Sequence, residues 1–297
     1  MKHDRALSFL RYLKAFLKLA ACFACFFSYL FIAVVLRFCF VFYKAPRRRS
    51  LTTKLTQLFA RCLVFLMGIK IEVKGDISSL KVDCCGKFFV SNHLSYLDGF
   101  ILGALFPVVY VTKTELKKWP LIGFMTEISG TLFVDRNHKG YLLGAIQEMA
   151  ETLGAGGNVL YFPEGTSSNG DRLLPFVATF FEAPLAVGAS VVPVSLSYRS
   201  VDGFSVAADN RDMIYWYGDM TFIDHFFNLL TCRSIKVIVQ VHPCLKLPDI
   251  EDSFSRRMQR RHVCELAYKT ILRGRYLEKK GLDIDGAYSC ISAEKAD

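Results

Sequence analysis

The chain has 297 residues, of which 52% are hydrophobic and 22% are charged. This composition is too apolar for intrinsic disorder, while its charged fraction is too high for a bundle of membrane-spanning helices. The net charge of +10 is unevenly placed, because residues 1–61 hold 12 Lys or Arg against the single acid Asp4, and the remainder holds 25 basic and 26 acidic residues. Since the excess positive charge lies in the N-terminal segment, no nucleic-acid partner is predicted for the globular part.

The N-terminal segment has the features of a membrane anchor. Leu19–Leu36 is a run of 18 uncharged residues, which as a helix is roughly 27 Å long against a bilayer core of about 30 Å. Five basic residues precede the run and six follow it up to Lys54, so the positive-inside rule selects no orientation. A single span and a re-entrant helical segment with both flanks on anionic headgroups therefore both stay open. Either arrangement predicts a membrane protein, and we expect its catalytic domain on the cytoplasmic face.

The ten cysteines and six histidines do not form a recognisable ligand pattern. The Cys22-x-x-Cys25 pair lies in the apolar run without a second pair or a neighbouring histidine, so packing is its expected role. Scattered cysteines of this kind indicate reduced thiols that face the cytosol and not a disulfide framework. The sequence therefore predicts no metal site.

From Ile69 onward, short β-rich runs alternate with helical patterns. Strands interleaved with helices predict an α/β domain with a mostly parallel sheet flanked by helices. The predicted strands are residues 70–75, 87–92, 108–112, 131–135, 158–162, 191–198 and 235–241, and the predicted helices are 95–106, 139–153, 174–187 and a basic amphipathic helix over 251–280. Pro193 inside a strand predicts a bulge or an edge position. We divide the chain into a basic membrane-anchoring segment, 1–49, a catalytic domain, 50–250, and a basic amphipathic C-terminal helix with a polar tail, 251–297.

A candidate site follows the predicted strand 87–92. Ser91-Asn92-His93-Leu94-Ser95-Tyr96-Leu97-Asp98 starts at the end of that strand, where open α/β sheets bind ligands, and runs into an apolar helix. If the helix begins at Ser95, Asp98 lies in its first turn and reaches the imidazole of His93 in the preceding loop. The alternative is structural, because Ser95-x-x-Asp98 is also the spacing of a helix capping box. Spacing alone does not choose between the two.

This block is the first of four that resemble, in order, the motifs of the glycerophospholipid acyltransferase family typified by bacterial 1-acylglycerol-3-phosphate acyltransferases. The four blocks are Asn92-His93…Asp98, Gly130-Thr131-Leu132-Phe133-Val134-Asp135-Arg136, Phe162-Pro163-Glu164-Gly165-Thr166 and Val191-Val192-Pro193-Val194. The stretch from Lys113 to Leu116 also matches the family between the first two blocks. The resemblance implies the family's α/β fold, acyl transfer to a lysophospholipid, acyl-CoA or acyl-carrier protein as donor, and no further cofactor.

The residue types in these blocks suit acyl transfer to an alcohol. An alcohol attacks a thioester slowly unless a base removes its proton, and an imidazole, with a reference pKa of about 6.5, suits that work at neutral pH. His93 is the candidate base. Asp98 would hold its second ring nitrogen, as the acid of a serine triad does, with the substrate hydroxyl as the nucleophile. The backbone N–H groups of Gly165 and Thr166 are the candidate donors to the oxyanion.

The resemblance also implies substrate-binding roles for Lys113, Arg136 and Glu164. Arg136 would bind a phosphate through two parallel hydrogen bonds, or would be a surface residue paired with Asp135. Glu164 would bind the glycerol of the acceptor, or would accept hydrogen bonds from backbone N–H groups of its own turn. For both residues the two alternatives stay open.

One departure from the family concerns the acceptor. Many phosphatidate-forming members carry Arg directly after Glu-Gly-Thr, whereas this chain has Ser167-Ser168. We predict a membrane-bound O-acyltransferase that acylates a lysophospholipid, with 1-acylglycerol 3-phosphate as the expected acceptor and lyso-ornithine lipid as the alternative. Two other classes of protein are weighed against it. A non-catalytic lipid-binding scaffold would not need the base His93, and a thioesterase would use the same histidine with water.

Overall fold

The computed structural model describes residues 2–39, 45–75, 77, 85–119, 121–135, 139–245, 247 and 255–280. In these ranges the α-helices are α1 (Lys2–Cys39), α2 (Ala45–Leu66), α3 (Leu97–Leu105), α4 (Ile122–Ile128), α5 (Lys139–Gly154), α6 (Glu182–Val187), α7 (Phe222–Thr231) and α8 (Arg256–Lys279). The strands are β1 (Ile69–Lys74), β2 (Phe88–Ser91), β3 (Val108–Lys113), β4 (Leu132–Val134), β5 (Asn158–Tyr161), β6 (Val191–Val201), β7 (Phe204–Ser205) and β8 (Ile235–Val241).

The strands form one sheet in the order β1-β8-β6-β2-β5-β3-β4, and the short β7 pairs with β6. The neighbours among β2 to β6 all pair in parallel, and so do β1 and β8. β6 pairs antiparallel with β8, so β1 and β8 run against the other long strands. The predicted α/β class with a mostly parallel sheet flanked by helices is confirmed.

Side chains that alternate along each strand build a core on both faces of the sheet. In β2, Phe89 packs with α2, α3 and α7 on one face, whereas Phe88 and Val90 pack with α5, α6 and α8 on the other. All three side chains are at most 2% exposed, as expected for a parallel strand covered by helices on both sides. The carboxyl ends of β2, β3, β4 and β5 therefore lie together along one end of the sheet.

The N-terminal helices pack along the first of these faces. α1 continues through the apolar run, and its part Tyr12–Cys39 is long and apolar enough to cross a membrane, judged by length and composition. α2 returns antiparallel beside it, with the Tyr29 hydroxyl 3.1 Å from Thr56 Oγ1. Lys18 Nζ donates over 2.6 Å to the carbonyl of Cys232, directly after α7. α1 is thereby fastened both to α2 and to the sheet domain.

α2 also runs through residues 49 and 50, so the predicted boundary between the anchoring segment and the catalytic domain lies within a helix. The division into domains stays a prediction. The predicted helix over 174–187 begins only at Ala178, as a 3-10 turn that continues into α6. Tertiary hydrogen bonds hold its first residues outside the helix, because the Leu174 N–H donates to Glu164 Oε2 and the Val177 N–H to the Pro163 carbonyl.

Pro193 lies in β6, which is an interior strand, so the predicted edge position is wrong. Its carbonyl accepts the N–H of His242, just beyond the end of β8. Regular antiparallel pairing of β6 with β8 stops at Val194, which pairs with Val241. Pairing resumes at Val191, which lies opposite Leu245, so the segment after β8 has one residue more than β6 between these two pairs. The predicted irregularity is thus present next to Pro193, which has no N–H to donate to the ladder.

Candidate active site

The loop between β2 and α3 brings His93 and Asp98 together. β2 ends at Ser91 and α3 begins at Leu97, so His93 lies in the loop and Asp98 in the first turn of the helix. His93 Nδ1 and Asp98 Oδ2 are 2.9 Å apart. The contact forms because the helix begins after the histidine, which is the condition that the spacing required.

The Asp98 carboxylate is buried among hydrogen-bond donors. Its Oδ2 accepts the backbone N–H of Leu94 over 2.6 Å and that of Ser95 over 2.9 Å. The bond from the Ser95 N–H is the carboxylate half of the capping box that was the structural alternative for this residue, and it coexists with the contact to His93. One carboxylate therefore both caps the start of α3 and orients the imidazole.

Tyr198 is a site residue that the sequence analysis did not identify. Its hydroxyl donates from β6 to Asp98 Oδ1 over 2.7 Å, across 100 residues of sequence. Burial and the neighbouring charge of Asp98 raise the pKa of Tyr198 well above its ordinary value, so the phenol stays protonated and remains a donor. In the sequence, Tyr198 lies two positions after Leu196, which is the spacing of core residues on one face of a strand, so it looks like an ordinary core residue. Only the strand order, which places β6 beside β2, brings Tyr198 to Asp98.

The ring of Phe162 packs against the imidazole of His93. The two ring centroids are 4.1 Å apart and the planes differ by 15°. Asp98 engages Nδ1 and the histidine side chain is 21% exposed, so Nε2 is the nitrogen left for a substrate. No group in the described part of the chain hydrogen-bonds Nε2. An imidazole oriented by a carboxylate, with its other nitrogen unengaged, is suited to act as a general base.

Glu164 connects β5 to the histidine loop. It is buried, its Oε1 accepts the backbone N–H of His93 over 2.7 Å, and its Oε2 accepts that of Leu174 over 2.8 Å. Burial raises the pKa of Glu164, and these two hydrogen bonds and the nearby charge of Arg275 oppose that rise. Both partners are backbone N–H groups, as in the structural alternative, but they belong to the histidine loop and to the segment before α6 and not to the turn of Glu164. Direct contact of Glu164 with an acceptor stays a prediction.

The turn after Glu164 contains the two predicted oxyanion donors. Gly165 has a φ of 72°, which glycine adopts without strain, and its N–H donates over 3.0 Å to the Phe162 carbonyl. The turn therefore uses this N–H, and it is not free for an oxyanion. Thr166 is exposed in the same turn, and its role stays a prediction. The Ser168 N–H donates over 3.0 Å to the His93 carbonyl, which ties this segment to the histidine loop.

Lys113 and Arg136 are the two basic residues that were predicted to bind substrate. Lys113 is exposed at the end of β3, and because β5 separates β3 from β2 it lies roughly 10 Å from the line of β2. It shares the same end of the sheet as His93, and its substrate contact stays a prediction. Arg136 follows β4 and lies outside the described residues. The described His, Cys, Asp and Glu residues include no group of three or more that could hold a metal ion.

A cavity of about 680 Å³ lies between the N-terminal helices and the β4 edge of the sheet. Residues from α1, α2, α4, β4 and α5 line it, among them Leu36, Thr52, Ile128, Phe133 and Ala145. Its volume is in the range that small organic ligands occupy. Thr114 also lines the cavity, so the cavity adjoins the strand end that carries Lys113.

The chain is similar in sequence to known acyltransferases. Residues 86–197 match the family model described as Acyltransferase. The chain is 31% identical over 194 residues, 63% of its length and 71% of the relative's, to a lyso-ornithine lipid O-acyltransferase of Brucella abortus. It is 38% identical over 170 residues, 57% of its length and 64% of the relative's, to a 1-acyl-sn-glycerol-3-phosphate acyltransferase of Neisseria gonorrhoeae.

A similar fold occurs in the crystal structure of the 1-acyl-sn-glycerophosphate acyltransferase PlsC from Thermotoga maritima. The TM-score is 0.62 at 19% identity, and the match covers 91% of this chain and 98% of that one. The fold, the site and the sequence relatives together define an enzyme that transfers acyl groups. The chain belongs to the acyltransferase family, as its four sequence blocks predicted.

Proposed function

We propose that this acyltransferase is membrane-bound and moves a fatty acyl group from acyl-CoA or acyl-carrier protein to the free hydroxyl of a lysophospholipid. The proposed acceptor is 1-acyl-sn-glycerol 3-phosphate, which would become phosphatidate. The observation that carries the proposal is the His93 imidazole, with Nδ1 2.9 Å from the buried Asp98 and Nε2 unengaged by the described residues. An oriented base serves proton transfer, whereas a lipid-binding scaffold has no use for one.

In this mechanism His93 moves the proton and the substrate supplies the nucleophile. Nε2 takes the proton of the acceptor hydroxyl while the hydroxyl oxygen attacks the thioester carbonyl carbon. The new C–O bond pushes an electron pair onto the carbonyl oxygen, and its return breaks the C–S bond. The departing thiolate takes the proton back from the imidazolium, which Asp98 stabilises at Nδ1. The products are an ester and a thiol, and no acyl-enzyme forms.

The acceptor would reach the site from the bilayer. α1 exposes a series of large apolar side chains, including Phe16, Phe23, Phe27, Phe31 and Phe38. The cavity lined by Leu36 lies at the end of this helix and adjoins the carboxyl end of β3. A lysolipid in the membrane beside α1 would thus be close to the strand ends that carry the site, and the thioester would arrive from the aqueous side.

Lyso-ornithine lipid is the second candidate acceptor. The chain has Ser167 where many phosphatidate-forming members have an arginine, so it lacks one guanidinium that suits a phosphate. A headgroup without phosphate does not need that guanidinium. The Brucella abortus relative is named for this acceptor.

The test presents both acceptors to the same enzyme. Full-length protein in detergent receives a labelled acyl-CoA or acyl-carrier protein with either lysophosphatidate or lyso-ornithine lipid, and the products are identified by mass. We expect phosphatidate from the first acceptor, and about 10²- to 10⁴-fold less of it from His93→Ala because the general base is lost. If ornithine lipid were the only ester formed, lyso-ornithine lipid would replace 1-acyl-sn-glycerol 3-phosphate as the acceptor. Release of free fatty acid without formation of an ester would indicate a thioesterase. Binding of the lysolipid without formation of any product would indicate a lipid-binding scaffold.

A further inference from the structure

The C-terminal helix α8 contacts the segment that follows Glu164. Arg275 Nη2 donates over 2.6 Å to the carbonyl of Gly170. The Gly170 N–H donates over 3.4 Å to Ser168 Oγ, and the Ser168 N–H donates over 3.0 Å to the carbonyl of His93. A series of hydrogen bonds therefore runs from α8 to the backbone of the histidine.

Arg275 also acts on Glu164 through its charge. Glu164 is buried and holds the backbone N–H of His93 over 2.7 Å. Burial raises the pKa of Glu164, and the guanidinium of Arg275 opposes that rise, which favours the carboxylate that accepts this N–H. The His93 N–H thus donates to a carboxylate whose charged form Arg275 favours. The His93 carbonyl accepts from the segment 168–170, which Arg275 binds.

No sequence pattern identifies this residue. The third block has serines at 167 and 168, and the guanidinium that bonds the backbone of residue 170 comes from 105 positions further along the chain. Arg275 is one of eight Lys or Arg in α8, most of which lie on its exposed side. Its place beside the site follows from how α8 docks on the sheet.

We propose that Arg275 is a positioning residue for the acyl transfer. By holding the Gly170 carbonyl and favouring the Glu164 carboxylate, it fixes the peptide groups on both sides of His93 and so the place of the imidazole. Displacement of a reacting group by about 1 Å can cost 10²-fold in rate. The inference rests on the proposed function, because it gives Arg275 a part in that reaction.

α8 has other attachments that would keep it in place without this guanidinium. Its apolar side chains Val263, Ala267 and Ile271 are buried against the sheet. Glu278 forms an ion pair of 2.9 Å with Arg199 of β6. Arg275 is itself only half-buried, so its replacement removes the bond to Gly170 and leaves the packing of the helix.

The experiment compares Arg275→Gln and Arg275→Lys with Arg257→Gln, an exposed arginine of the same helix. Full-length variants are assayed with acyl-CoA and whichever acceptor the unmodified protein acylates. We expect Arg275→Gln to lower kcat about 10- to 100-fold with both KM values within about twofold, because the base is displaced and the substrate contacts are not. Arg275→Lys should recover part of the rate, since an ammonium also donates to a carbonyl. Arg257→Gln should match the unmodified protein.

The pH profile separates this role from a purely structural one. The groups that act on Glu164 are the N–H donors of His93 and Leu174 and the charges of Arg275 and His93. Without Arg275 the pKa of Glu164 rises further, so its carboxylate is protonated at a higher pH. Protonation of His93 lowers kcat at acid pH in every variant; the additional fall caused by protonation of Glu164 should begin at a higher pH in Arg275→Gln and stay in place in Arg257→Gln.

Unchanged kcat in Arg275→Gln would overturn the inference, and so would equal losses in Arg275→Gln and Arg257→Gln. If Arg275→Gln fails to fold, Arg275→Lys decides: a folded Arg275→Lys variant with full kcat would also overturn it. Absence of transfer by the unmodified protein to either acceptor would instead reject the proposed function, so the two failures are distinguishable.

Discussion

Among single residues, Asp98 has four hydrogen-bond partners on its carboxylate alone. His93 Nδ1, two backbone N–H groups and the Tyr198 hydroxyl converge on its two oxygens. Hydrogen bonds in a buried, low-dielectric place are strong, and a buried oxygen left without a donor is costly. The orientation of the histidine therefore depends on a set of buried groups around Asp98.

Asp98→Asn should lower turnover by about 10²-fold or more and leave the fold intact. An asparagine oxygen can still accept the N–H groups of Leu94 and Ser95, so the cap on α3 is retained. The amide carries no charge to stabilise the imidazolium of His93. Initial rates and melting temperatures measure the two effects separately. A variant as active as the unmodified protein would leave Asp98 with its capping role alone.

Tyr198→Phe should destabilise the fold by about 1–3 kcal/mol, because Asp98 Oδ1 loses its donor in a buried place. Turnover should fall less than in Asp98→Asn, since the contact between Oδ2 and His93 remains. Tyr217→Phe is the matched control, because its hydroxyl donates over 2.8 Å to Asp212 at an exposed position. Urea unfolding of both variants gives the comparison. Equal stabilities would contradict the role assigned to the Tyr198 hydroxyl.

Among the elements, α8 covers the second face of the sheet by a close approach at Gly274. Behind it, Ser195 Oγ and His242 Nε2 are buried and 2.6 Å apart. Burial lowers the pKa of His242 to about 4, so the ring is neutral at ordinary pH. A Cβ on Gly274 would lie 2.5 Å from both Ser195 Oγ and the His242 ring. The helix can approach the sheet this closely because residue 274 has no side chain.

Gly274→Ala should therefore destabilise the protein by about 1–3 kcal/mol, although alanine is the better helix former. Gly144→Ala in α5 is the control, because no described atom outside the adjoining backbone of its own helix lies within 4 Å of the added Cβ. That variant should be neutral or more stable by up to about 1 kcal/mol. Denaturant unfolding measures both. If Gly274→Ala proved as stable as Gly144→Ala, the close approach of α8 would not need glycine.

In the whole molecule, α1 lies along the catalytic domain. Lys18 reaches the carbonyl of Cys232 before the apolar run, and Leu36 and Arg37 line the cavity at its other end. Between these points α1 packs on α2 and exposes phenylalanines on its other side. A helix held to the domain at both ends of its apolar run is suited to lie in the membrane surface with one face in lipid.

We therefore expect a tag before Met1 and a tag after Asp297 to lie on the same side of the membrane. In sealed vesicles, added protease should digest both tags together in one orientation and spare both in the other. The tags would behave oppositely if α1 crossed the bilayer once. Antibody detection of each tag on the same blot gives the result.

The fold class and the positions of His93, Asp98 and Glu164 followed from the sequence. Strand and helix periods are local, and His93 and Glu164 follow apolar strands whose carboxyl ends lie at the same end of the sheet, while Asp98 lies in the first turn of the helix after the first of these strands. The contact between His93 and Asp98 also depended on a local event, the start of α3 after the histidine. Short-range chemistry was sufficient for these features.

Strand order and helix docking decided the rest. Tyr198 meets Asp98 across 100 residues and Arg275 meets Gly170 across 105, and each looks in the sequence like an ordinary core tyrosine or surface arginine. The hydrogen bonds of Glu164 with the N–H groups of His93 and Leu174 likewise join segments that are distant in the sequence. Only the tertiary structure supplies such contacts, because they depend on which strands become neighbours and where α8 crosses them, and no local periodicity encodes either.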